Sequence, residues 1–157
     1  MLSWIRLTFV MLMSFAGIAQ AQSSNARQSG NSDRDKLIGA WRLVSLQAPG
    51  PDGQLQAVPG LTGTLVYTGD GHVSVQIMYP ESQSSLTNDY VLNGYEASFG
   101  SYEVNAAEHT VTHHVRGSIT RGLVGKDLVR AYQISNGQLI IRSVRRDEHW
   151  SVIWQHE

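Results

Sequence analysis

The sequence predicts an all-β fold, an antiparallel barrel of roughly eight short strands. Three observations predict it. From about Ala40 onward, short apolar stretches recur and are broken by Gly, Pro and Asn turn signals. Where a stretch is long enough to show a period, the period is two, as in a strand with unlike faces. The chain has no cysteine, so no disulfide can tie sheets together, and a closed barrel removes exposed edges without one. A two-sheet sandwich fits the same strands, but edge closure favours the barrel.

The first element, residues 1–21, reads as a cleavable signal peptide. Arg6 gives a positive start, Leu7 to Ile18 is an uncharged apolar run, and Ala19-Gln20-Ala21 supplies a small-x-small cleavage pattern. The run is shorter than the roughly 20 residues that span a bilayer, and no later segment is apolar enough to do so. The expectation is a periplasmic or secreted chain that starts at Gln22, with no integral membrane span. Residues 22–35 are rich in Ser, Asn, Gln and Gly and read as a flexible polar leader. Residues 36–157 remain for one barrel domain, enough for a core and too few for two domains.

Ala40 to Gln47 is the first strand, with Leu43, Val44 and Leu46, and Pro49-Gly50-Pro51-Asp52-Gly53 stops it. Thr64 to Thr68 and His72 to Met78 flank Gly69-Asp70-Gly71 and form a hairpin. Val73, Val75 and Ile77 lie on one face of its second arm. Pro80 and the serines to Ser85 form a loop. Thr87 or Asn88 caps one short helix through Tyr90, Val91, Leu92 and Tyr95, between the third and fourth strands, although Gly94 weakens it. Strands resume at Ser98 to Val104, Thr110 to Arg116, Asp127 to Ile134, Gln138 to Val144 and Trp150 to Trp154. Asn136-Gly137 makes a tight hairpin turn.

Composition excludes several functions. Lys and Arg number 12 against 13 Asp and Glu, a formal charge of −1, which suits neither nucleic acid nor an anionic membrane surface. Without cysteine there is no thiol catalysis and no zinc–thiolate site. No P-loop, Gly-x-Ser-x-Gly elbow, His-Glu-x-x-His or EF-hand loop is present, so no cofactor is implied. His113 and His114 are neighbours in a strand and point to opposite faces, so they cannot share a metal. A metal site would need a third group such as His72.

The informative residues are polar ones on apolar faces. Val111, His113 and Val115 share one face, as do Leu128, Arg130, Tyr132 and Ile134. If those faces point inward, a histidine and an arginine lie inside the barrel, where an unpaired charge is costly. Most carboxylates fall in turns, apart from Glu96 and Glu103. Two readings follow. In one, Arg130 covers a ring or bonds carbonyls and His113 is a core residue. In the other, both line a cavity and bind the polar or anionic end of a small hydrophobic or amphipathic molecule, with Tyr67 and Tyr102 beside them. A metal-independent enzyme (isomerase, cyclase or hydrolase) would use His113 as acid/base and Arg130 to stabilise an anion. A barrel filled by its own side chains is the remaining alternative. Arg142, Arg145 and Arg146 read as a solvated rim.

The stretch Leu37-Ile38-Gly39-Ala40-Trp41-Arg42-Leu43-Val44-Ser45 contains a Gly-x-Trp at the first strand. Gly63 to Val75, Tyr95 to Tyr102, Val111 to Val115 with its continuation through Ser118 and Gly125 to Arg130, and the Trp154 strand follow in order. Together they resemble the lipocalin-like domain proteins of bacteria and fungi, over about Leu37 to Trp154. The resemblance implies an eight-stranded barrel with a central cavity and does not imply one activity. It also implies that Trp41 packs at the closed end under an arginine, Arg130 or Arg142. Arg121 and Leu123 depart from the family pattern, where a proline and a tryptophan are usual. Gln155-His156 departs too, where a glutamate and an arginine are common.

Overall fold

The computed structural model describes residues 33–50 and 52–157. The signal-peptide reading of residues 1–21, and the leader as far as residue 32, lie outside the described residues. A helical turn over residues 33–37 comes first. Nine strands follow among the described residues: β1 (Gly39–Pro49), β2 (Leu55–Ala57), β3 (Thr62–Tyr67), β4 (His72–Met78), β5 (Tyr95–Asn105), β6 (Thr110–Ser118), β7 (Asp127–Ser135), β8 (Gln138–Ser143) and β9 (Ser151–His156).

Each strand from β3 to β9 pairs antiparallel with the next, and β1 pairs with both β3 and β9. That closes an eight-stranded barrel, as the sequence predicts. β2 stands outside it and pairs only with Gln47–Pro49 at the end of β1. Its three residues are all exposed, so no buried face marked them as a strand. The Asn136-Gly137 turn has φ of 53° and 74°, the positive pair that a two-residue hairpin needs.

The short helix is not where the sequence put it. It precedes β1, and its first residues, 33–35, lie in the stretch read as leader. Residues 79–94 form a loop with a 3-10 turn at Glu81–Gln83. Asn88 does cap, accepting from the amides of Tyr90 (2.8 Å) and Val91 (2.9 Å). Asn93 and Gly94 then take φ of 51° and 76°, which turns the chain back into β5 before a helix can propagate.

Two bulges set which side chains face inward. In β1 the register shifts across Val44, so Trp41 and Leu43 point in before it and Leu46 after it. Between β5 and β6 the register shifts at Phe99/Gly100, with Arg116 the extra residue. A side chain on Gly100 would run into the backbone of His114, so only glycine fits there.

One half of the barrel is packed solid. Leu37, Trp41, Tyr67, Tyr102, Val111, Tyr132 and Leu139 fill it. The helical turn seals this end. Trp41 Nε1 donates to Leu37 O (2.8 Å), Arg34 donates to Gly69 O (2.9 Å), and Tyr132 donates to Asp33 (2.8 Å). Trp41 meets the edge of His156, with centroids 4.7 Å apart. Neither Arg130 nor Arg142 covers it, contrary to the resemblance: Arg142 points outward, and Arg130 stacks on other rings. Gly39 makes room for this ring contact, because His156 occupies the space that a Cβ would take, and φ at Gly39 is 139°.

Candidate functional site: a half-barrel cavity

The other half of the barrel is hollow. A cavity of about 170 Å³ lies between the packed end and the loops at residues 79–94 and 144–150. Its apolar wall includes Leu46, Leu65, Val75, Ile77, Ile141 and Val152. Alternation in β4 and β9 directs Val75, Ile77 and Val152 inward, as the two-residue period implies. The barrel is therefore not filled by its own side chains.

Arg130 is the charged group of this wall. It sits in β7 between Leu128 and Tyr132 on the inward face and is only 7% exposed. Its guanidinium lies 4.7 Å from the Trp150 ring centroid and 5.3 Å from that of Tyr90. Cation–π contact offsets part of its burial cost. Among the described residues, no carboxylate reaches it within the 4.0 Å of an ion pair. A second donor, Trp154 Nε1, is buried on the same wall without a hydrogen-bond partner.

His113 also lines the cavity, and its Nε2 lies 2.7 Å from the Tyr67 hydroxyl. Burial, then the positive charge of Arg130, then His114 push its pKa down to about 3, so the ring is neutral at physiological pH. Burial raises the Tyr67 hydroxyl well above its ordinary value, with Tyr102 adding to the rise and Arg130 opposing it. Tyr67 is bonded to His113 but does not itself line the cavity. Tyr102 is further away: it packs on Tyr67 (4.7 Å) and donates to Thr68 O (3.1 Å), at the sealed end.

Glu96 is the site residue that the sequence reading passed over. Its strand, β5, starts at Tyr95 rather than Ser98, so Glu96 and Ser98 face inward together and both line the cavity. Glu96 keeps accessible surface there, but the protein around its carboxyl removes most bulk water. That desolvation pushes its pKa up to about 7, against the opposing pull of Arg130. The usable signal was that Glu96 lies outside the predicted turns, two residues ahead of a predicted strand.

The mouth is tied by Glu148. It accepts from Tyr90 (2.9 Å), Ser143 (2.8 Å) and Trp150 Nε1 (3.3 Å), linking the two loops. Desolvation raises its pKa, but these hydrogen bonds and the Arg145 charge outweigh that and hold it below its ordinary value. On the outer surface, His114 binds Asp127 (2.7 Å), facing away from His113 as strand geometry requires. Arg145 pairs with Asp147 (2.7 Å) on the exposed rim. Among the described residues, no three His, Cys, Asp or Glu side chains gather as metal ligands. No described helix is long and apolar enough to cross a membrane.

Fold and site together define a closed β-barrel with an internal cavity of small-molecule size. The model of the lipocalin-like domain matches residues 38–155. The chain belongs to that family, whose fold suits a small-ligand-binding barrel. No curated protein matches it. A solved structure similar to it is that of an uncharacterized protein from Bacteroides eggerthii DSM 20697. The two share 13% identity at a TM-score of 0.46, over 77% of this chain and 99% of the other.

Proposed function

We propose that the protein binds a small, mostly apolar molecule whose polar or anionic group meets Arg130. The observation that carries this reading is a cavity-facing guanidinium, 7% exposed, with no carboxylate partner among the described residues. An unpaired buried charge is costly, and a ligand anion offsets that cost with charge-assisted hydrogen bonds. Size narrows the ligand. A dry cavity of about 150 Å³ holds one benzene ring, whereas drug-sized sites run to about 300–1,000 Å³. At about 170 Å³ this cavity suits a single ring or an equally compact chain.

A panel of one-ring acids, alcohols and hydrocarbons should raise the melting temperature of the purified domain. Arg130→Met should lose at least about tenfold in affinity for the acids and keep the fold, since the methionine stem fills similar space. A panel with no stabilising member overturns the reading.

An enzyme in the same cavity would take its proton-transfer group from Glu96 rather than His113. A group with a pKa near 7 exchanges protons at neutral pH, and one near 3 does not act as an efficient base there. Outside the cytoplasm is the proposed place of work, supported by the signal-peptide pattern of residues 1–21. Amino-terminal sequencing of the protein from a periplasmic or culture fraction should begin at Gln22. An intact Met1 in the cytoplasm would rule the export out.

A further inference from the structure

Arg130 and Glu96 stand on one cavity wall, and the groups facing them there are few. Tyr79 follows β4, Tyr90 comes from the mouth loop and His113 from β6. β1, β3, β8 and β9 contribute no charged side chain to the wall, and Glu148 lies behind Tyr90, held by its hydrogen bonds. His113 stays neutral. Burial, and then the neighbouring Glu96 charge, push the Tyr79 hydroxyl up to about 12, so it stays protonated. The charge of the cavity near neutral pH is therefore decided by Arg130 and Glu96.

We propose that this cavity is a proton-coupled site for compact carboxylic acids, in which the ligand anion pairs with Arg130 while Glu96 takes up one proton. The proposal rests on the binding reading above and goes beyond it. With Glu96 ionised, the empty cavity is neutral overall, because its charge balances Arg130. An arriving carboxylate would make it net negative in surroundings that screen poorly. A proton on Glu96 restores neutrality, and Arg130, which no carboxylate reaches among the described residues, pairs with the ligand. Anion and Glu96 carboxylate thus repel each other within one cavity, and by linkage each anion bound raises the proton affinity of Glu96. Atoms balance simply: the ligand enters as its anion, and one proton moves from solvent to a Glu96 carboxylate oxygen. The other protonation route, onto His113, would set two cations beside each other.

Benzoate is the probe, with benzamide as its uncharged counterpart. Calorimetric titration in two buffers of different ionisation heat should report close to one proton taken up per benzoate at about pH 8. Affinity for benzoate should be level near pH 6 and fall about tenfold per pH unit above about pH 7, where Glu96 ionises in the free protein. Benzamide should show neither effect. Glu96→Gln should bind benzoate at about pH 8 as tightly as the unaltered protein does near pH 6, without proton uptake. Benzoate binding with no proton uptake, or an unchanged pH profile in Glu96→Gln, overturns the coupling and leaves the binding reading intact. So does equal binding of benzamide and benzoate by the unaltered protein. Failure of both compounds, and of the wider panel, to bind overturns the binding reading and the coupling together.

Discussion

Tyr67 and His113 each satisfy the other's polar atom, 2.7 Å apart and both buried. Neither would be stable there alone. Tyr67→Phe should cost about 1–3 kcal/mol, because it leaves a buried ring nitrogen without its partner. Combining Tyr67→Phe with His113→Leu should cost less than the sum of the two single changes. Urea denaturation of the three variants measures this, and additive losses would mean that the pair is not coupled. At this scale the sequence was readable in part. Period-two alternation put His113 and Arg130 on apolar faces, and both line the cavity, so those faces point inward. It could not separate them from Tyr67 and Tyr102, which share the same kind of face but lie in the packed half. Depth along a barrel depends on register and stagger, which a single strand does not carry.

Among the elements, the loop at residues 79–94 differs most from its expected form. Asn88 offers a cap, but a cap without a following helical run nucleates nothing. Tertiary contacts use the segment otherwise: Val91 is buried, and Tyr90 lies against Arg130 and bonds Glu148. Glu148 is thus the clasp between the two mouth loops. Glu148→Ala should free Tyr90 and Trp150 together. The expected result is faster hydrogen exchange at Tyr90, Val91 and Leu92, and faster ligand release, with exchange in β3 and β6 unchanged. Uniformly faster exchange over the whole barrel would instead mark Glu148 as part of the global fold. β2 and the helical turn at residues 33–37 were illegible for a related reason. Each is too short to show a period, and each exists through what it touches.

Over the whole molecule, two buried groups set opposite pH dependences. His113 is depressed to about 3 from an ordinary 6.5, so in that window the unfolded chain holds a proton that the folded one does not. Its contribution to stability is full above 6.5 and is lost as pH falls toward 3, a change on the order of a few kcal/mol. Glu96 is raised to about 7 from an ordinary 4.5, so here the folded chain holds the extra proton. Its contribution is full below 4.5 and is lost as pH rises toward 7. Between 4.5 and 6.5 the two slopes oppose each other. Asp33 and Glu148, both held low by hydrogen bonds that outweigh their desolvation, add to the loss in acid. Urea midpoints should therefore be highest at about pH 5.5 and lower at about pH 3 and pH 8. Glu96→Gln should abolish the decline on the alkaline side only, and a decline that survives the substitution would assign it to other groups.

Local chemistry was enough to announce an all-β chain, its hairpin turns and its closure without disulfides. Strand period and turn residues are written in neighbouring positions, and the segments from Gly39 to Trp154 also carry the lipocalin-like pattern. What neighbouring positions do not encode is distance across the barrel. Two bulges, at Val44 and at Arg116, reset which side chains face inward, and the stagger of the strands divided the interior into a packed half and a hollow one. That division put Glu96 and Arg130 on one cavity wall and left the guanidinium against two rings with no carboxylate partner among the described residues. Burial and charge act through space rather than along the chain, so the site took shape only when the sheet closed on itself.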